Sequence, residues 1–184
     1  SCKKDNKTTV GILLTATHSA LNDAKDGFIE ALKANGYEDA EFVVRNPEGD
    51  ATTMNSMATE LVRKSDIVLG VGTPAAVALQ SARDAEELDV TILFTAVTDP
   101  ISAGLMTDAS KPTNITGTND MNPVADQVDL IIELVPGITK LGVLYNVAES
   151  NSKIQAELVK AQAAKKGVEV IVKTVSEAIE ISAA

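Results

Sequence analysis

Five apolar, β-branched stretches recur through the first 118 residues: TVGILL (Thr9 to Leu14), AEFVV, IVLGVG (Ile67 to Gly72), TILFTA (Thr91 to Ala96) and NITGT within Thr113 to Thr118. All five read as strands, and TVGILL, a continuous run without polar alternation, as one buried on both faces. Helical spacing fills the gaps between them. Phe28, Ile29 and Leu32 stand three and four apart before an Asn35-Gly36 stop, and Met54, Met57, Leu61 and Val62 repeat the pattern up to Lys64. A third helix is expected from Pro74 to about Ala85, and the Asn46, Pro47, Gly49, Asp50 cluster marks a turn. Strand and helix alternate with connections that fit right-handed crossovers onto one parallel sheet, which predicts a doubly wound α/β lobe. With hydrophobic residues at 45% and aromatics at 3%, its core has to be aliphatic.

In such sheets ligands sit outside the carboxyl ends of the strands, at a switch point. The stretch that meets this rule best is VGTPAA, Val71 to Ala76. With Thr73 as N-cap and Pro74 at the first helical position, several backbone N–H groups would point into open space. The macrodipole adds positive charge, so a carboxylate or phosphate over Thr73, Pro74, Ala75 and Ala76 would be held without a basic side chain. The competing reading is a well-capped helix start that binds nothing. Two further strand ends, Leu14 to Asn22 and Phe94 to Pro100, carry polar residues at the matching point.

Beyond Thr118 the pattern restarts. After Asn119, Asp120 and Asn122-Pro123 a helix with Val128, Ile131, Ile132 and Leu134 is expected. It is followed by strand LGVLY (Leu141 to Tyr145), polar loop NVAESNS, a helix to Lys166-Gly167, strand VEVIVKT and the start of another helix. The domain reading is therefore residues 1–8 as a polar tether, 9–118 as the first lobe and 119–184 as the first, incomplete part of a second α/β lobe. A parallel pair with two or three helices would leave an edge and an apolar face open. Dimerisation or domain swapping through that edge would be one physical remedy.

Formal net charge is −10, with acidic residues outnumbering basic ones 26 to 16, which argues against nucleic acid as partner. The single cysteine, Cys2, allows no intrachain disulfide and no paired metal or redox motif. A lone Cys2 followed by the tether KKDNKTT has the look of a lipid attachment residue beside a cleaved signal peptide; an incidental terminal cysteine is the alternative. No run of about 18 apolar residues is present.

The segments VGILLTATHSALNDAKDGFIEAL, VGTPAAVALQSA, FTAVTDPISAGL and LGVLYNVAESNS together resemble the substrate-binding lipoproteins of bacterial ABC importers, in the subgroup associated with tryptophan and related aromatic amino acids. The resemblance implies a two-lobed type I periplasmic-binding fold whose cleft closes on a small molecule delivered to a membrane permease. It also implies a full second lobe, so that this sequence would be a truncated, split or shortened form. His18, Ala20, Leu21 and Asn22 match a His-Pro-Ala-Leu-Asp pattern, with Asn22 in place of the carboxylate. At the start of the third helix, Thr73 and the amides of Pro74's successors, Ala75 and Ala76, would take the ligand carboxylate by the helix-end argument above. Thr98 and Asp99 close the rim, Asp99 as the remaining partner for an ammonium group, and Glu149, Asn151 and Ser152 face the cleft from the second lobe. Each has a plainer alternative: His18 as a surface histidine, Asp99 and Glu149 to Ser152 as helix caps, Asn119 and Asp120 as hinge and turn residues.

The expected protein is thus an extracytoplasmic, lipid-tethered receptor that needs no cofactor or metal, for an aromatic amino acid or alternatively a branched amino acid, nucleoside or sugar. An α/β enzyme is the competing class, but GxGxxG, GK[ST] and GxSxG motifs are all absent from the chain.

Overall fold

The apolar runs become strands because every second side chain finds a different helix layer. The computed structural model describes residues 7–111, 113–176 and 178–183. Cys2, and with it the proposed lipid attachment, lies outside the described residues. Two compact units divide at Asp120 and Met121.

In the first unit the order is β1 (Thr9–Leu14), α1 (Ser19–Leu32), β2 (Glu41–Arg45), α2 (Ala51–Lys64), β3 (Ile67–Val71), α3 (Thr73–Ala85), β4 (Thr91–Val97) and β5 (Ile115–Asn119). The five strands pair in parallel in the order β2-β1-β3-β4-β5. Val10, Ile12 and Leu14 of β1, with Leu69 and Val71 of β3, pack against Leu21, Phe28 and Leu32 of α1. Leu13, Val68, Ile92 and Phe94 point the other way, onto Ala58 and Leu61 of α2 and Ala75, Ala76 and Leu79 of α3. The sheet is doubly wound, and β1 and β3 flank the point where the strand order reverses. Gly70 marks the tightest helix approach, since a Cβ there would lie 2.5 Å from the Ala76 Cα.

The end of α1 is more drawn out than an Asn-Gly stop predicts. The backbone runs through a π-type turn, Lys33–Tyr37, in which Gly36 takes φ +95° and reverses the chain. Between β4 and β5 the chain forms turns rather than a helix, and Leu105 anchors them in the α3-side core.

One ion-pair group on this unit predicts an acid response. Arg45 on β2 grips Glu60 of α2 through two bonds of 3.1 and 2.9 Å, and Lys64 adds a third at 3.2 Å. These bonds, Arg45 first, hold the Glu60 carboxyl at about 2, down from an ordinary 4.5. A depressed folded value means stability that is present above the unfolded value and lost as pH falls through the folded one. Melting midpoints of the wild type and E60Q are expected to differ most above pH 4.5 and to converge toward pH 2. A constant gap across that window would show that the pair contributes nothing through titration.

The second unit holds α4 (Val124–Leu134), β6 (Lys140–Asn146), α5 (Ser150–Lys165), β7 (Glu169–Val175) and a terminal 3₁₀ turn, Ala178–Ala183, where a helix was expected to begin. The strands β6 and β7 pair in parallel. Val128, Ala163 and Val168 form its small core with Ile132, Leu141 and Val170. Two residues of the expected apolar face of α4 stay outside it, Ile131 at 37% and Leu134 at 70% exposure, and Leu144 and Ile171 lie exposed on the strands.

Candidate functional site

Three loops of the first unit meet where β1, β3 and β4 end. Thr15, just past β1, donates both its N–H and its hydroxyl to the Val71 carbonyl, each at 3.1 Å. Gly72 then turns the chain with φ +96° and ψ 153°, and its N–H donates to the Thr95 carbonyl at 2.9 Å. The Thr15 hydroxyl sits against Gly72 so closely that a Cβ would lie 2.5 Å from Oγ1. The ends of β1, β3 and β4 are thereby stitched together at the switch point of the sheet.

The start of α3 lies one residue earlier than the sequence reading placed it. Gly72 is the N-cap and makes no side-chain cap bond, so Thr73 is the first helical residue and Pro74 the second. The expected cradle narrows accordingly. The Ala76 N–H donates to the Gly72 carbonyl at 3.1 Å inside the helix, and Pro74 has no N–H, so Thr73 and Ala75 supply the first-turn donors beyond the cap. Those donors are not in open space, because Thr73, Ala75 and Ala76 are buried and Pro74 is half-buried. The Thr73 hydroxyl oxygen accepts the Thr98 N–H at 3.4 Å, which leaves its own proton to give to an anion. Thr98 is buried beside it.

Asp99 follows as a cap. Its Oδ1 accepts the N–H groups of Ile101 and Ser102 at 3.1 and 3.2 Å, and its Oδ2 accepts the Ser102 hydroxyl at 2.6 Å. These bonds, the Ser102 hydroxyl first, hold its carboxyl below the usual range. His18 is also a cap: its Nδ1 accepts the Ala20 N–H at 3.3 Å at the start of α1. The polar stretch after β1 is therefore not loop throughout: Ala20, Leu21 and Asn22 form the first turn of α1. Leu21 faces the core there, and Asn22 is half-buried.

Sequence reasoning passed over a group on the neighbouring loop. The Glu48 Oε1 accepts the Thr17 hydroxyl at 2.5 Å and the Asn46 amide at 2.8 Å, while Oε2 accepts the Thr17 N–H at 3.0 Å. Asn46 also donates to the Thr17 hydroxyl and accepts the Glu48 N–H, closing the network. Among the described non-glycine residues three have left-handed φ, and two of them, Glu48 at 51° and Ala96 at 54°, stand on this rim. Backbone outliers gather where surrounding contacts over-determine them, often at functional sites. The signal available in the sequence was only the turn chemistry of Asn46-Pro47-Glu48-Gly49.

In the second unit Glu149 is the N-cap of α5, yet its side chain makes no cap bond. The Asn151 amide reaches Glu149 Oε2 at 3.5 Å, and the buried Asn151 Oδ1 has no hydrogen-bond partner among the described residues. Ser152 donates its N–H to the Glu149 carbonyl at 3.1 Å. These three residues lie just past the carboxyl end of β6. No group of three or more His, Cys, Asp or Glu suited to a metal ion occurs among the described residues, and no described helix is long and apolar enough to cross a membrane.

Residues 9–184 match the family described as ABC transporter substrate binding protein. The chain is 37% identical over 189 residues to a curated protein called Tyrosine-binding protein from Clostridioides difficile (strain R20291), covering 99% of this chain and 54% of that one. It superposes with a TM-score of 0.89 and 36% identity on a crystal structure of an ABC domain from Streptococcus pneumonia in complex with L-Trp, covering 97% of this chain and 60% of that one. A ligand-free, open structure of a substrate binding protein with adhesive properties from Clostridium difficile matches at a TM-score of 0.67 and 34% identity, again over 60% of its length. The chain thus spans somewhat more than half the length of these relatives.

Proposed function

The chain belongs to the family of ABC transporter substrate binding proteins, and on that premise we propose that it captures an amino acid, an aromatic one by preference, for an importer. The observation that carries this reading is the start of α3 at the switch point. Two amide N–H groups, from Thr73 and Ala75, and the proton of the Thr73 hydroxyl converge there under a positive helix end. Such a set suits a carboxylate. The preference for an aromatic side chain is supported by the relatives, one called Tyrosine-binding protein and one crystallised with L-Trp. In the second unit, the buried Asn151 Oδ1, which has no partner among the described residues, is a costly acceptor, and a ligand donor would satisfy it. Glu149 and Ser152 accompany it in this reading.

Binding of this kind uses hydrogen bonds and desolvation and breaks no bond, so no catalytic role is assigned. We place the protein outside the cytoplasm, tethered through a lipid on Cys2 and handing its ligand to a membrane permease. One observation favours a smaller, branched or otherwise non-aromatic ligand: Phe94, one of only three phenylalanines, is buried in the core and unavailable for stacking.

A thermal-shift screen of the twenty amino acids, with nucleosides and sugars as controls, tests the reading. A ligand at a hundred times its dissociation constant stabilises the folded protein by about 2.7 kcal/mol. Tyr, Trp or Phe are expected to raise the melting midpoint. A shift with a nucleoside or sugar and with no amino acid would overturn the assigned ligand class.

A further inference from the structure

We propose that Glu48 is the group on the rim of the first unit that takes the α-ammonium of the ligand; the assignment rests on the reading that the ligand is an amino acid. An ammonium withdrawn from water needs an anion beside it. The rim offers four carboxylates, and the geometry separates them. Asp50 caps α2 through the Thr53 N–H at 2.7 Å, and the Asp99 carboxylate is bonded, among the described residues, only to Ile101 and Ser102, so both serve as caps of the segment that follows them. Asp120 follows β5, which stands two strands from β3 and hence about 10 Å from the switch point.

Glu48 follows β2, the neighbour of β1, and its loop is tied directly to the site. The Gly49 N–H donates to the Thr15 carbonyl at 2.9 Å, and Thr15 is the residue pressed against Gly72 at the start of α3. The carboxylate itself is held by neutral donors on two separate segments, from Thr17 on one side and Asn46 on the other. A carboxylate has about four lone-pair directions. Three are filled, two on Oε1 and one on Oε2, which leaves one on Oε2. Asp99 has the same tally, and what sets Glu48 apart is that its donors join two strand-end loops beside Thr15 instead of closing one turn. The Glu48 side chain is exposed and forms no salt bridge to the described residues, so its charge faces solvent ready for a partner. The Thr17 bonds, hydroxyl first, also keep its carboxyl below the usual range, hence ionised near neutrality. The left-handed φ of 51° is the backbone conformation that carries the side chain into this network.

The assignment separates the ammonium from the carboxylate end of the ligand, and a pair of ligands reads it. L-tyrosine and its des-amino analogue, 3-(4-hydroxyphenyl)propionate, are titrated calorimetrically into the full chain as wild type, E48Q and E48A. E48Q is expected to weaken L-tyrosine at least tenfold and to leave the analogue unchanged, with E48A giving the same split if the glutamine amide disturbs Thr17. Equal loss of both ligands in both variants would make Glu48 a loop-ordering residue and overturn the assignment alone. Unchanged L-tyrosine binding would overturn it as well. Failure of the wild type to bind any of L-tyrosine, L-tryptophan or L-phenylalanine would instead overturn the aromatic amino-acid reading from which the assignment starts.

Discussion

Replacing Gly72 by alanine is expected to lower the stability of the first unit by about 3 kcal/mol and its melting midpoint by roughly 10 °C. Two independent effects add at this position. The backbone sits at φ +96° and ψ 153°, a region that residues with a Cβ seldom enter. The new methyl would also lie 2.5 Å from the Thr15 Oγ1, which is fixed by its bond to the Val71 carbonyl and has little room to withdraw. Relief by backbone rotation would pull the Gly72 N–H off the Thr95 carbonyl and shift Thr73, so the binding proposed for the α3 start is expected to weaken along with stability. Gly27 supplies the control. It lies within α1 with nothing near its Cβ position, and G27A is expected to be neutral or to stabilise by about 0.5–1 kcal/mol. Chemical denaturation of the two variants distinguishes them; equal midpoints would show that Gly72 is not under the strain described.

Gly72 also shows where sequence reasoning loses resolution. The apolar runs placed five parallel strands to within a residue or two. The inner strands β1 and β3 are buried almost throughout and show no polar alternation, while the edge strands β2 and β5 are largely exposed or half-buried and were read from their β-branched residues and flanking turns. Strand order did not follow, since it depends on which helix covers which face. The switch point was placed at the right loop, but the helix start was set at Pro74 with Thr73 as cap. A threonine before a proline is the ordinary cap signature, and the left-handed glycine that took the role here carries no side chain to announce it. That single residue decides which amides remain, and it removes Ala76 from the set.

The side-chain chemistry was harder to read for a different reason. Asp99 and His18 are polar residues beside helices or turns, where a local backbone partner competes with any ligand, and in both the local partner holds the side chain. Glu48 was invisible because its partners, Thr17 and Asn46, come together only when β1 and β2 pair. Sequence separation, 31 residues in the case of Thr17, hides such a group from any local pattern.

Phe94 is the residue at which the sequence-level and structural readings predict opposite results. With aromatics at only 3% of the chain, the sequence leaves Phe94 and Tyr145 as the residues that could stack on an aromatic ligand. In the folded unit it is 3% exposed and belongs to the core between the sheet, α2 and α3. The register of β4 against β5 shifts between Phe94 and Val97, where Ala96 takes φ 54°, and this irregularity lets both Phe94 and Val97 face the same core despite their odd spacing. Gly117 opposite leaves the room the ring needs, since a Cβ there would collide with the Phe94 ring and carbonyl. F94A is therefore expected to cost about 3–5 kcal/mol of stability, through lost burial and the cavity left behind, while F94L costs less than about 1.5. Denaturant midpoints with unchanged slopes are the measurement. A stacking residue would behave in the reverse manner, with F94A folding as well as the wild type and binding aromatic amino acids more weakly. That result would return the ring to the site and remove the one observation that favours a smaller ligand.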